Sequence, residues 1–323
     1  MQTDIQSRLG TGLAAGELVR EHIDMKIGYI GLGKMGLPMA TNMRAAGHEL
    51  IVHNRSQPKV DAFVADGGVA ASSPAEVAAQ ADVICVNVPT PEISLEILLG
   101  TNGAVENARE GQLWIDFGTN GPDTARTCAD AGSSKGVGYL DAPVSGGPGG
   151  AEAGTLAVFV GGSEASFEQG KELLDIIGGK IEHFGPAGTG CIAKLTNQMI
   201  IASIRAANAE AFVLAVKNGL NPQQLYETLM GAFAANRCME VDLPNLVLPR
   251  DYSARFAVDL LLKDLGLALE VGRQSGVPLI ATAQADQLYQ EIRSKGWGHL
   301  DAAATFKRLE EIVGVEVAVP SSE

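Results

Sequence analysis

Aromatic side chains are scarce in this chain: phenylalanine, tyrosine and tryptophan together make up 5% of its 323 residues. So few rings give no stacking platform for single-stranded nucleic acid. Positive charge is also in short supply. Lys and Arg number 24 against 38 Asp and Glu, a net charge of −14, which argues against nucleic acid or any other polyanionic partner. A small anionic substrate stays compatible with this balance if its pocket carries local cations. The four cysteines, Cys85, Cys128, Cys191 and Cys238, are far apart. They form no CxxC and no ligand cluster with the five histidines, so no metal site is expected, and buried, reduced thiols in a cytoplasmic protein are. No apolar run reads as the ~18–20 residues a bilayer span needs, and no membrane association is expected. Residues 1–24 lack a basic start followed by an apolar stretch. They carry Asp4, Glu17, Glu21 and Asp24, which suits neither a secretory signal nor a transit peptide.

What is present is glycine, 39 residues of it, within a composition that is 46% hydrophobic and 19% charged. That profile predicts a globular core with many tight turns. From residue 26 to about 184, short apolar runs alternate with helical stretches. Strands are expected at Lys26–Ile30, Glu49–His53, Asp82–Val88, Leu113–Phe117, Gly138–Asp141, Leu156–Val160 and Ile181–Phe184. Helices are expected at Met35–Ala46, Pro74–Ala79, Pro91–Leu99, Pro122–Ser134 and Glu164–Ile177, three of them opening on a proline suited to a first turn. Runs of Val, Ile and Leu without polar alternation describe strands covered on both faces. The alternation predicts an α/β, Rossmann-type, doubly wound parallel sheet.

After Gly185-Pro186-Ala187-Gly188 the pattern changes. One long helix is expected from about Cys191 to Asn218, followed by helices alone to about Val313. The expected organisation is an extension at residues 1–24, a dinucleotide-binding domain at 25–186 and an all-helical substrate and dimerisation domain at 187–318, with a loose tail at 319–323. Met25 stands directly before the first strand, so the compact fold is expected to begin there. Ile192, Leu195, Met199, Ile200, Ile204, Phe212 and Leu214 spread over more than one stripe of the long helix. A helix this apolar is buried on several sides, within its own domain or against a second subunit; a homodimer is the expectation drawn from it.

The strongest local signal is Gly31-Leu32-Gly33-Lys34-Met35-Gly36. A GxGxxG alone is weak, but this one leaves a strand directly and opens a helix. The first glycine permits the tight turn, the second lets a pyrophosphate approach the backbone, and the third lets helix pack on strand. The helix N-terminus offers free N–H groups and partial positive charge to phosphates. An NAD site places an acidic residue about 20 residues further on, to hold the ribose hydroxyls. Here that region reads Asn54-Arg55-Ser56. Asn54 is uncharged, and Arg55 and Ser56 suit a 2′-phosphate. NADPH/NADP+ is therefore the expected cofactor, with NAD second.

Two further stretches carry candidate chemistry. In Asp141-Ala142-Pro143-Val144-Ser145-Gly146-Gly147-Pro148, the Ser145 hydroxyl and the uncovered N–H groups of Gly146 and Gly147 would bind a carboxylate; a Gly/Pro-rich loop without a ligand fits the composition equally well. Lys194 lies near the start of the most apolar helix, either as a snorkelling surface residue or as a functional amine. Desolvation would bring its pKa towards neutrality, which suits proton transfer. Asn197 and Gln198, three and four residues on, lie near its face of the helix. Lys263, among leucines in Phe256–Leu265, reads equally as the partner of Asp259 on a solvated face.

Taken in order, Gly31–Asn42, Asp141–Gly147, the Lys194 helix and Phe256–Leu265 closely resemble the β-hydroxyacid dehydrogenase family, with its 3-hydroxyisobutyrate dehydrogenases and tartronate semialdehyde reductases. The resemblance runs from about Lys26 to Val313. It implies an NAD(P)-dependent enzyme that interconverts a small 3-hydroxy acid and its semialdehyde or 3-oxo acid in an interdomain cleft, as a homodimer or homotetramer. It implies Lys194 as general acid and base, and Ser145, Gly146 and Gly147 as the substrate-anchoring turn, with Asn197 and Gln198 beside it. Val88, Pro89, Thr119 and Lys263 match cofactor contacts. Three departures from the family pattern stand out. Gln198 occupies a position where many relatives have Asn. Gly118 and Asn120 interrupt a Ser/Thr-rich segment. Asn54-Arg55-Ser56 is similar to the NADPH-using branch. Asn120, Phe233, Arg237 and Asp259 are candidates for the distal end of the substrate. Imine reductases of this architecture generally lack the lysine found at Lys194, and a non-catalytic dinucleotide-binding protein would have no chemical need for it.

Overall fold

The computed structural model describes residues 25–319. The expectations for residues 1–24 and for most of the tail lie outside the described residues. Nine strands form the sheet system: β1 (Lys26–Ile30), β2 (Glu49–His53), β3 (Val69–Ala70), β4 (Val83–Val86), β5 (Leu113–Asp116), β6 (Gly138–Asp141), β7 (Val144–Ser145), β8 (Leu156–Gly162) and β9 (Gly178–His183). Between them run α1 (Gly36–Ala45), α2 (Gln57–Ala65), α3 (Pro74–Gln80), α4 (Pro91–Leu99), α5 (Pro122–Ser133), α6 (Gly147–Ala153) and α7 (Glu164–Ile177). Pro74, Pro91 and Pro122 open their helices as expected. Ser73 and Thr90 complete two of these starts by accepting the N–H groups of Glu76 and Ile93.

Six strands run parallel in the order β3-β2-β1-β4-β5-β6. Their apolar runs feed two cores, one on each face of the sheet. Tyr29, Val52, Cys85 and Ile115 enter one, and Ile30, Ile51, Ile84 and Trp114 enter the other. Strands buried on both faces need no polar alternation. The expected parallel sheet runs to β6; beyond it β8 joins antiparallel, and β9 then lies parallel to β8. Between β6 and β8 the chain holds only short β7 and α6, with Gly146 and Gly147 at positive φ. It folds back there instead of completing a crossover.

The remaining chain is helical: α8 (Thr189–Lys217), α9 (Pro222–Met230), α10 (Arg237–Asp242), α11 (Val258–Ser275), α12 (Ile280–Ile292) and α13 (Ala304–Val313). Phe212 of α8, Leu261 and Leu265 of α11, Tyr289 of α12 and Phe306 of α13 meet in its core. Arg205 ties α8 to α10 through two bonds to the Asp242 carboxylate, at 2.7 and 3.0 Å. By length and composition α8 is apolar enough to cross a bilayer, which corrects the reading of its sequence; Lys194 and Arg205 break the run to the eye without making the helix polar. In this fold α8 packs against α11, α12 and α13 and also reaches β8.

Candidate active site

The order of the parallel strands reverses between β1 and β4, and α/β sheets bind ligands in the crevice at such a point. Gly31, at φ +104°, turns the chain out of β1. A Cβ on it would stand 2.2 Å from the Asn87 carbonyl oxygen at the end of β4, and a Cβ on Gly36 would stand 2.0 Å from the Gly31 carbonyl oxygen. Those two glycines are sites of backbone contact. Gly33 between them faces open space, with nothing within 4 Å of such a Cβ. The first turn of α1 carries no acidic residue, and Met35 at its N-cap makes no side-chain cap. A cradle closed behind, open in front and positive at the helix end fits the pyrophosphate of a dinucleotide.

Around this cradle, Asn54 lies just past the end of β2 and accepts the Leu32 N–H through Oδ1 at 3.0 Å. Arg55 and Ser56 follow it and are exposed. Val88 and Pro89 lie just past β4, with Val88 half-buried against Gly31. Lys34 reaches across to the helical domain and donates to the Ala254 carbonyl at 3.0 Å.

A second cluster joins the end of β5 to α8 and α11. Buried Asp116 accepts the Gly118 N–H and the Asn120 side-chain amide, both at 2.8 Å, and the Ser94 hydroxyl. Burial pushes its carboxyl up to about 6, against the pull of these donors. Asp116 thereby shapes the segment 117–120, and the Thr119 carbonyl accepts Lys263 Nζ from the helical domain. Lys263 also pairs with Asp264 at 2.9 Å. Asp259 pairs with Arg293 at 3.2 Å, so the solvated-face reading of Lys263 does not describe the fold. The other Asp264 oxygen accepts Gln198 Nε2 at 2.7 Å, and Asn197 donates to Gln198 Oε1 at 3.0 Å. Gln198 is thus committed to Asp264.

Lys194 sits in the second turn of α8 and is only 6% exposed. Among the described residues it takes no hydrogen bond or ion pair. Burial lowers its pKa to about 8; nearby Asp264 raises it and Lys263 lowers it. Such an ammonium gives up its proton near neutral pH and regains it easily. Asp264, which connects three of the expected site residues, was missed in the sequence. Its signal was an acid buried in the leucine-rich stretch Leu260–Leu265.

Ser145 ends β7, paired with Ala157 of β8, and Gly147 begins α6 where a loop was expected. Gly147 has open space around it. The link from this turn to Lys194 is Asp141, whose carboxylate accepts the N–H groups of Gly188 and Cys191 at the start of α8, both at 2.8 Å. Of the residues considered for the distal end of a substrate, Asn120 lies in this cluster and is buried. Phe233 and Arg237 are exposed on the segment around the start of α10.

Comparison with known proteins agrees with this geometry. Residues 26–185 match the NAD binding domain of 6-phosphogluconate dehydrogenase, and residues 188–309 match the NAD-binding domain of NADP-dependent 3-hydroxyisobutyrate dehydrogenase. The chain belongs to the β-hydroxyacid dehydrogenase family. It is 38% identical to 2-(hydroxymethyl)glutarate dehydrogenase of Eubacterium barkeri, over 91% of this chain and 98% of that one. It is 36% identical to 2-hydroxy-3-oxopropionate reductase of Escherichia coli, over 91% of this chain and all of that one. Among solved structures, Mycobacterium tuberculosis 3-hydroxyisobutyrate dehydrogenase with L-serine superposes with a TM-score of 0.80 at 34% identity, covering 88% of this chain and 99% of that one. The protein is therefore an NAD(P)-dependent hydroxyacid oxidoreductase with a nicotinamide dinucleotide as cofactor.

Proposed function

We propose that the protein is an NADPH-preferring reductase that converts a short semialdehyde acid to the corresponding 3-hydroxy acid, and runs in reverse with NADP+. The observation that carries this reading is the desolvated Lys194, unpaired among the described residues, beside the Asp264–Lys263–Thr119 chain that joins the two domains. The bound nicotinamide supplies the hydride for the carbonyl carbon. Lys194 gives its proton to the carbonyl oxygen as the C=O electron pair becomes an O–H bond, and takes a proton back in the oxidative direction. The Ser145 hydroxyl and the Gly146 and Gly147 N–H groups hold the substrate carboxylate, and Lys263 holds the segment around Thr119 against the cofactor. Arg55 and Ser56, with no acidic residue beside them, favour the 2′-phosphate of NADPH.

Oxidation of 3-hydroxyisobutyrate is the second reading, favoured by the 3-hydroxyisobutyrate dehydrogenase match over residues 188–309. A panel of C3–C5 semialdehydes with NADPH and NADH, and of the matching hydroxy acids with NADP+ and NAD+, separates the two. The first reading expects a semialdehyde with NADPH to give the largest kcat/KM; a preference for a hydroxy acid with NAD overturns it. Lys194→Ala is expected to cost orders of magnitude in turnover with cofactor binding kept, and undiminished turnover removes Lys194 from the mechanism.

We also propose a homodimer in the cytoplasm. Along α8, Ile192, Ile200 and Leu214 are 38%, 54% and 66% exposed, an apolar face that a second copy would cover. Four unpaired cysteines suit a reducing compartment. A sedimenting monomer at micromolar concentration would remove the dimer.

A further inference from the structure

Asp141 is the last residue of β6 and is 1% exposed. Its two carboxylate oxygens accept the Gly188 and Cys191 N–H groups, and the Cys191 thiol also donates to it. These backbone donors belong to the first turn of α8. That turn has no cap of its own: Gly188 at the N-cap has no side chain, and no acidic residue follows in the turn. Orphan N–H groups at a helix start are normally met by a local Ser, Thr, Asp or Asn. Here the acceptor comes from a different element, across 47 residues of chain.

The joint around this cap is tight. A Cβ on Gly190 would lie 2.3 Å from the Phe159 carbonyl oxygen, 2.6 Å from the Asp141 carbonyl oxygen and 2.7 Å from the Gly161 nitrogen. A Cβ on Gly161 would lie 2.6 Å from Asp141 Oδ1. The helix start is pressed onto β6 and β8 with no room to slide. Three residues beyond Cys191, less than one turn, is Lys194; four residues beyond Asp141 is Ser145. One carboxylate therefore joins the strand end that leads to the substrate turn with the helix that carries the lysine.

We infer that Asp141 is a positioning residue, which fixes Lys194 against the Ser145–Gly147 turn and offsets the positive end of α8 beside that lysine. The inference rests on the reading of Lys194 as the proton donor. Gly188 stands at φ +93°, where a serine or asparagine cap would be strained, so the cap of α8 comes from another element, and that element is the strand end that leads to the substrate turn. The ionisable neighbours of Lys194 are Asp264 and Lys263 on α11. Those of Asp141 are Asp116 on β5, Tyr139 on β6 and Cys191 on α8.

The test is Asp141→Asn in the full chain, read by thermal midpoint, by the NADPH dissociation constant from fluorescence, and by the pH profile of semialdehyde reduction. The amide keeps the shape, loses the charge and turns an N–H donor towards one of the helix N–H groups. The expected result is an NADPH constant within about twofold of the parent and a kcat lower by about 10- to 100-fold, the loss typical of a small misplacement. The limb assigned to Lys194 should move down by about half a pH unit, because the helix end is no longer neutralised. A folded variant with unchanged kcat and an unmoved limb overturns the inference. If Asp141→Asn does not fold, Asp141→Glu takes its place: it keeps the charge but displaces the joint by one methylene. It is expected to keep the limb and to lose at least about tenfold in kcat; an unchanged kcat overturns the inference. The same profile on Lys194→Ala separates the two levels. A limb that survives there sinks the proton-donor reading itself. A limb that vanishes there, with both kcat and the limb unchanged in Asp141→Asn, sinks only the role of Asp141.

Discussion

Asn54 Oδ1 accepts the Leu32 backbone N–H at 3.0 Å, so the residue just past β2 holds the glycine turn that follows β1. An NAD site would have a carboxylate in this region. An aspartate at position 54 would still accept the Leu32 N–H, and would add a charge that repels a 2′-phosphate while holding ribose hydroxyls. Asn54→Asp should therefore fold as the parent does and exchange its cofactor preference. The NADPH dissociation constant is expected to rise by about tenfold or more, since like charges in contact cost several kcal/mol, and that for NADH should fall. Titration of both cofactors by fluorescence checks this. An unchanged ratio would mean that the 2′-position lies away from Asn54.

Arg55 is exposed and next in sequence. A guanidinium bonded to phosphate contributes about 1.5–3 kcal/mol. Arg55→Ala should raise KM for NADPH by about 10- to 100-fold and leave KM for NADH within about threefold. Equal effects on the two cofactors would remove Arg55 from the 2′-phosphate site.

The glycines of the turn have different duties, and their variants should differ in kind. Gly36 meets the Gly31 carbonyl oxygen, whereas Gly33 faces open space. Gly36→Ala must push backbone apart and should lower the thermal midpoint by several degrees, in line with about 1–3 kcal/mol for overpacking. Gly33→Ala should leave the midpoint of the cofactor-free protein within about 1–2 °C and weaken cofactor binding, because its methyl stands where a pyrophosphate approaches. Calorimetry with and without NADPH reads both. A Gly33→Ala variant that binds NADPH as tightly as the parent would place the phosphates elsewhere.

Much of this site was legible in the sequence because its signals are local. Strand, glycine turn and helix start are consecutive at Ile30–Gly36, and the prolines at 74, 91 and 122 mark helix starts by their own geometry. The antiparallel return of β8 was not legible, since it depends on how Gly146 and Gly147 fold the chain back and not on any apolar period. The same holds for Asp264, Asp141 and Lys34. Each acts through a partner in another element, at Gln198, Gly188 and Ala254, and a single sequence carries no record of such distant pairs. The outward apolar residues of α8 were visible, but whether a helix is covered by its own domain or by a second copy is decided by packing.

Lys194 offers a prediction that links the chemistry to the energetics of the fold. Its pKa is lowered to about 8 by burial. Reduction needs the ammonium, so kcat/KM for semialdehyde reduction should be flat at low pH and fall above about 8. Oxidation needs the free amine and should rise towards a plateau above the same value. The stability of the protein should report the same group. In the unfolded chain a lysine titrates near 10.4, so between about pH 8 and 10.4 the unfolded state binds the extra proton and stability rises with pH. Below pH 8 the ammonium is charged in both states, and the full cost of burying it is present. Lys194→Met removes that cost. It should stabilise the protein at pH 7 by about 1–3 kcal/mol, the order of magnitude set by the shift from about 10.4 to about 8. The gain should shrink to near zero by about pH 10.5. Denaturant titrations of both proteins at pH 7, 9 and 10.5 measure it directly. A variant no more stable than the parent at pH 7 would show that Lys194 is solvated in the folded enzyme, and that its role as a proton donor does not come from desolvation.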